Sequence, residues 1–137
     1  MAKVLFCEDS PIIQKLILFS MRGTPHEVFV AADGAAGMAI VEQKQPDLIF
    51  TDLHMPGMDG ITLTRAMKAR PDAAHIPVIL CTAGGEAQSI DEGYRMGMAG
   101  HILKPFSPAV LRQLVADWSA SGACPPMPST TSSRDAV

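Results

Sequence analysis

Five residues of the 137-residue chain carry groups suited to a shared chemistry: the carboxylates of Glu8, Asp9 and Asp52, the hydroxyl of Thr82 and the ammonium of Lys104. Each stands at the end of a short apolar run, and ligands of open parallel sheets bind outside the carboxyl ends of the strands. If the runs are such strands, the five groups converge on one rim. Three carboxylates held together repel, and burial raises their pKa further unless a cation is supplied. Hard oxygen donors select magnesium or calcium over zinc, and few protein carboxylates with room for water and phosphate oxygens suit Mg2+. Lys104 adds a second positive charge beside Asp52. A phosphoryl group arriving at Asp52 would meet the metal, the ammonium and the Thr82 hydroxyl, which is the charge neutralisation that phosphoryl transfer needs.

The elements that must position these groups are legible as an alternation. Apolar runs of strand length, rich in Val, Ile, Leu or Phe, lie at residues 3–7, 27–31, 48–52, 77–82 and 100–104. Helical spacing fills the intervals, as a parallel sheet with crossover helices requires, and strands apolar on both faces fit helices on both sides. Ser10-Pro11 and Ser107-Pro108 each place a capping hydroxyl before a proline at the first helical position. The first start is followed by Ile13, Leu16, Ile17 and Met21 and an end near Gly23, the second by Leu111, Leu114, Val115 and Trp118. A second helix opens at Asp33-Gly34, with Ala36, Ala39 and Ile40 as its inward stripe, and stops before Pro46. A third spans about residues 60–70, with Leu63, Ala66 and Met67 inward. The fourth candidate, between Gly84 and Met98, is the weakest, because each interior glycine costs about 0.8 to 1.0 kcal/mol relative to alanine.

Length and composition narrow the function classes. The chain is the size of one domain, expected over residues 1–120, with a disordered tail over 121–137 whose prolines and serines carry no apolar period. Eleven Lys and Arg against fourteen Asp and Glu give a net charge of -3, so no positive field awaits nucleic acid. No run approaches membrane-spanning length and no secretion signal precedes Glu8-Asp9, so a cytoplasmic protein without membrane insertion is expected. Cys7, Cys81 and Cys124 lack metal-type spacing; the first two lie in apolar runs and read as buried free thiols.

Four stretches together resemble the receiver domains of two-component response regulators, of the stand-alone type found in chemotaxis. They are Val4-Leu5-Phe6-Cys7-Glu8-Asp9-Ser10, the segment from Asp47 through Asp52-Leu53-His54-Met55-Pro56-Gly57-Met58-Asp59-Gly60, Pro77-Val78-Ile79-Leu80-Cys81-Thr82-Ala83, and Lys104-Pro105-Phe106. The resemblance spans about residues 3–119 and rests on several motifs in the right order. It implies an α/β flavodoxin-like fold, a doubly wound five-stranded parallel sheet of order 2-1-3-4-5 with helices on both faces. It implies further that Asp52 accepts a phosphoryl group from a histidine kinase or a histidine phosphotransfer protein. Asp9, Asp52 and the main-chain carbonyl of His54 would bind Mg2+ directly, and Glu8 through water. Thr82 would be the switch hydroxyl, Lys104 the phosphate-binding lysine, and Pro105 a cis-proline. The protein would catalyse only its own phosphorylation and dephosphorylation, and a downstream protein would dock on helix four, strand five and helix five.

Two positions depart from the usual pattern. His101 stands where the family commonly has Tyr or Phe, and its imidazole is a candidate switch side chain against the plainer reading of a half-exposed strand histidine. Gly84-Gly85 follow Thr82-Ala83, and such small residues should leave a phosphoryl group open to water. Taken singly, the site residues have plain explanations: Asp52 as a turn residue, Glu8-Asp9 as acids before a helix, Thr82 as a β-branched strand residue. Their combination is what points to chemistry. Two other classes compete: a receiver-like interaction module that needs no phosphorylation, and an aspartyl-phosphate phosphatase. The phosphatase type needs an acid two positions after its nucleophile, where this chain has His54.

Overall fold

The computed structural model describes residues 2–104 and 106–121. The expected alternation is present as β1 (Lys3–Cys7), α1 (Pro11–Ser20), β2 (Glu27–Ala31), α2 (Gly34–Lys44), β3 (Leu48–Asp52), α3 (Gly60–Lys68), β4 (Val78–Thr82), α4 (Ala87–Met96), β5 (Gly100–Leu103) and α5 (Pro108–Ser121). The strands form one parallel sheet in the order β2-β1-β3-β4-β5. Strand order reverses at β1 and β3, and the crevice between their carboxyl ends is where such sheets bind ligands.

Side-chain alternation divides the core into two layers. Val4, Phe6, Leu48, Phe50, Ile79, Cys81 and Ile102 pack with Ile17, Met21, Leu111, Leu114, Val115 and Trp118 from α1 and α5. Phe6 and Phe50 stack there with ring centroids 5.1 Å apart. The intervening residues Leu5, Cys7, Ile49 and Val78 pack with Val41, Leu63 and Met67 of α2 and α3, and Leu80 packs with Ile90 and Met98 at α4. The central strands β1, β3 and β4 are therefore covered on both faces, while the edge strand β2 is half-buried.

Helix starts follow from local hydrogen bonds. The side chains of Ser10, Asp33 and Asp59 accept from the amides of Ile13, Ala36 and Thr62, each meeting one of the otherwise unpaired amides of a first turn. Helix α2 differs from the sequence expectation. Its buried residues are Gly34, Gly37 and Val41, while Ala36 and Ala39 are exposed. The reason is steric: a Cβ on Gly37 would lie 2.7 Å from Cys7 Sγ, so the helix approaches β1 through a glycine face rather than an alanine one. Helix α4 also forms despite its glycine, because Gly93 lets the helix approach Leu80 and Met98 closely. Helix α1 ends at Ser20, slightly before the expected point, and β5 ends one residue before Lys104. Cys124, Pro105 and the expected disordered tail beyond Ser121 lie outside the described residues.

The α3 start holds the carboxyl end of β3 in place. Gly60 donates its amide to Leu53 O at 2.9 Å, and a Cβ at that position would sit 2.5 Å from the Asp52 carbonyl oxygen and 2.7 Å from Leu80 Cδ2. Gly60→Ala is expected to lower stability by about 1–3 kcal/mol, the usual cost of forcing extra atoms into a packed site. Urea unfolding followed by Trp118 fluorescence measures it; an unchanged midpoint would show that the backbone yields without cost.

Candidate functional site

Glu8, Asp52 and Lys104 continue the alternation of Phe6, Phe50 and Ile102, so the three side chains emerge on the same side of the sheet, at the carboxyl ends of β1, β3 and β5, with β4 lying between the last two. There they meet. Lys104 Nζ lies 2.7 Å from Asp52 Oδ1 and 2.9 Å from Glu8 Oε1, bridging two carboxylates across the crevice. Glu8 is fixed from the first turn of α1, where the Ser10 amide donates to Glu8 Oε2 at 3.0 Å and Gln14 Nε2 donates to the Glu8 carbonyl at 2.7 Å. The Ser10-Pro11 start signal thus sets both the helix and the buried carboxylate. Asp9 is exposed and completes an acidic trio: one ligand oxygen from each of Glu8, Asp9 and Asp52 lies within 4.8 Å of the others.

The electrostatics show a cluster short of positive charge. Burial raises the Glu8 pKa, and the bonds from Lys104 and the Ser10 amide only partly oppose it; the Asp52 charge raises it further. For Lys104 burial acts downward, yet the bonds to Asp52 and Glu8 outweigh it and the ammonium is held more firmly than usual. One ammonium is firmly protonated between two carboxylates, while the more buried of these resists ionisation. Such a set has unmet demand for a cation with oxygen preference. The nearby thiols take no part: burial pushes Cys7 up to about 12 and raises Cys81 as well, so both stay protonated.

Thr82 is buried at the end of β4, and its hydroxyl has no hydrogen-bond partner among the described residues. Buried polar atoms are normally paired, so this hydroxyl is held ready for an acceptor. His101, a candidate switch residue with a plain half-exposed alternative, is in fact buried at 1% exposure. Its Nδ1 lies 2.9 Å from the Tyr94 hydroxyl on α4, with the rings edge to face at 5.8 Å. His54 projects outward, and its Nε2 pairs with Glu86 Oε1 at 2.5 Å. That hydrogen bond, together with the carboxylate charge, raises the imidazole pKa. Sequence reasoning missed Tyr94 and Glu86, whose partners lie on other elements with no shared period to reveal them. It also missed Gln14, whose bond is to main chain.

A family model described as the response regulator receiver domain matches residues 4–116. The chain belongs to that family. Sporulation initiation phosphotransferase F of Bacillus subtilis is 36% identical over 115 residues, covering 82% of this chain and 90% of that protein. Among solved structures, the chemotaxis response regulator CheY4 of Vibrio cholerae is similar with a TM-score of 0.79 and 29% identity, covering 85% of this chain and 98% of that one. The receiver domain of the sensor histidine kinase PA1611 from Pseudomonas aeruginosa, with a magnesium ion coordinated in its active site cleft, is similar with a TM-score of 0.76 and 28% identity. There, 85% of this chain and 96% of that one are covered. The chain spans about half the length, 44 to 48%, of the first curated relatives it matches, which are DNA-binding and transcriptional regulators. Among the described residues no helix is long and apolar enough to cross a membrane.

The unmet cation demand has a measurable sign. Magnesium at ten times its dissociation constant is expected to stabilise the protein by about 1.4 kcal/mol near pH 7. Because the Glu8 pKa is raised, protons compete for the site at a higher pH than an ordinary glutamate would allow. The magnesium-induced rise in melting temperature should therefore shrink as the pH falls toward 5. A rise that is the same at both pH values would mean that Glu8 does not contribute.

Proposed function

We propose that this receiver domain accepts a phosphoryl group on Asp52 from a histidine kinase or a histidine phosphotransfer protein, and signals by docking in the altered conformation. The observation that carries this reading is the Lys104 bridge between Asp52 and Glu8 at the strand-order reversal, with Asp9 alongside and an unpaired buried Thr82 hydroxyl nearby. In the transfer, an Asp52 carboxylate oxygen attacks phosphorus and the phosphorus–nitrogen bond of the donor phosphohistidine breaks. The imidazole nitrogen leaves with the electron pair. Lys104 passes from the Asp52 carboxylate to a phosphoryl oxygen, and the Thr82 hydroxyl donates to another. Asp9, Asp52, the His54 carbonyl and, through water, Glu8 would hold Mg2+, which would supply further positive charge to the phosphoryl oxygens. The acidic trio suits that ion, since every donor is a hard oxygen and an ammonium already serves two of them. Pro105, expected as a cis-proline after the lysine, would set how Lys104 is presented.

The donor must cover the rim beside Asp52, and one flank of that rim is apolar. A cavity of about 430 Å³ lined by Ile13, Leu16, Ala83, Lys104 and Phe106 opens there, and Ile12 and Phe19 on α1 are 79% and 59% exposed. This face is assigned to the phosphodonor and the α4, β5 and α5 face to the downstream target. The output assignment rests on His101, which shares the alternation of Thr82's side of the sheet and is tied to α4 through Tyr94. A reaction confined to the protein's own phosphorylation and dephosphorylation, in the cytoplasm, completes the reading.

Acetyl phosphate with magnesium should add one acid-labile phosphoryl group, seen by intact mass, and Asp52→Asn should abolish it; equal labelling of that variant would move the acceptor elsewhere. Tyr94→Phe removes the bond to His101 while keeping the ring, at a cost of about 0.5–1.5 kcal/mol. With a beryllium fluoride mimic, amide shifts at Thr82 should persist in that variant while those in α4 diminish. Undiminished α4 shifts would separate Tyr94 from the switch.

A further inference from the structure

We propose that Gln14 is a positioning residue for the metal: its side-chain amide clamps the peptide between Glu8 and Asp9, and so sets how strongly the site prefers Mg2+ to a larger divalent cation. The proposal rests on the reading of Asp9 and Asp52 as Mg2+ ligands. Of the acidic trio, Asp9 has the least support of its own. Lys104 holds both Asp52 and Glu8, and the Ser10 amide holds Glu8 a second time. Among the described residues no hydrogen bond or ion pair holds the exposed Asp9 carboxylate. Its placement therefore follows from the main chain that carries it.

That stretch of main chain lies between elements, because β1 ends at Cys7 and α1 begins at Pro11. On the β2 side it is tied where the Glu8 amide donates to Ala31 O at 2.9 Å. On the helix side Gln14 ties it twice. Its Nε2 donates to the Glu8 carbonyl at 2.7 Å and its main-chain amide donates to the Ser10 carbonyl at 2.9 Å, so one residue grips the chain on either side of Asp9. The main-chain bond is what any helix start makes, but the side-chain bond is particular to this residue. Because the peptide unit is planar, holding the Glu8 carbonyl fixes the plane from which the Asp9 residue departs. An amide suits this task electrostatically as well. It donates without a net charge, so the carbonyl is held while the trio keeps its full attraction for a cation.

The link to ion identity follows from size and rigidity. Mg2+ demands near-octahedral geometry with oxygens at about 2.0–2.1 Å, whereas Ca2+ accepts flexible arrangements at about 2.3–2.6 Å. A site in which Asp9 is held in one direction favours the smaller ion. Once Asp9 is free to turn, Mg2+ affinity falls and most of the Ca2+ affinity stays. A bond that merely satisfied a carbonyl beyond the sheet would leave the preference between the ions unmoved.

The test is the dissociation constant for each ion, measured by calorimetric titration of the full chain near neutral pH. Gln14→Met keeps the length of the side chain and loses the donor; it should weaken Mg2+ about ten-fold, the low end of the loss when a bond supporting a metal ligand is removed, and Ca2+ less than about two-fold. Gln14→Glu is nearly isosteric, offers the carbonyl no donor at this pH and adds a negative charge. Were charge the property that Gln14 tunes, this variant would bind Mg2+ more tightly than the wild type; the clamp requires weaker binding. Thermal melting without added metal establishes that the variants fold. Unchanged Mg2+ affinity in Gln14→Met, equal losses for both ions, or tighter Mg2+ binding by Gln14→Glu overturns the clamp and leaves the ligand assignment standing. Full retention of Mg2+ affinity in both Asp9→Asn and Asp52→Asn overturns the ligand assignment, and the clamp with it.

Discussion

Too many negative oxygens share too few positive charges at the carboxyl edge of this sheet, and most features of the structure answer that imbalance. Lys104 spans Asp52 and Glu8 at 2.7 and 2.9 Å, yet burial still holds the Glu8 pKa up. A single ammonium can satisfy one oxygen of each carboxylate and leaves the remaining lone pairs, and all of exposed Asp9, to solvent or a cation. Removing either partner of such a buried pair leaves an uncompensated charge, which is why the lysine and the acids belong together as one unit. The same imbalance that makes the cluster costly makes it receptive to a cation.

The two faces of the sheet play different parts in supporting that cluster. On the α1 and α5 side, stacked Phe6 and Phe50 and the residues beneath them form one continuous layer, and the first turn of α1 bonds directly to Glu8. That side is built to hold positions. On the α4 side the core is smaller, the helix lacks a side-chain cap, and it is joined to the sheet rim by polar contacts, Tyr94 to His101 and Glu86 to His54. Polar contacts between elements can exchange partners at small cost, whereas a close-packed apolar layer moves only as a unit. Exchangeable contacts are therefore concentrated where α4 meets β4 and β5.

Much of this was legible in the linear chain. The alternation of apolar runs and capped helical segments follows from local rules, since strand parity and first-turn hydrogen bonds act within a few residues. Ser10-Pro11, Asp33-Gly34 and Ser107-Pro108 mark helix starts for that reason, and Glu8, Asp9, Asp52, Thr82 and Lys104 were identifiable because each ends a run. The inward face of α2 was not legible: alanines carry the apolar signal, but close approach to Cys7 Sγ selects the glycines. The burial of His101 was equally hidden, because an imidazole is apolar or polar according to whether a partner such as Tyr94 is within reach.

By itself, then, the amino-acid order determined which groups lie at which strand ends, and so which chemistry is available. Only tertiary structure decided how those groups are shared: that one ammonium serves two carboxylates from strands far apart in the chain, and that Glu86 turns from its own helix to His54. The physical reason is range. Periodicity and capping are set by neighbours along the backbone, whereas pairing between elements depends on distances of a few ångströms that exist only once the sheet has assembled.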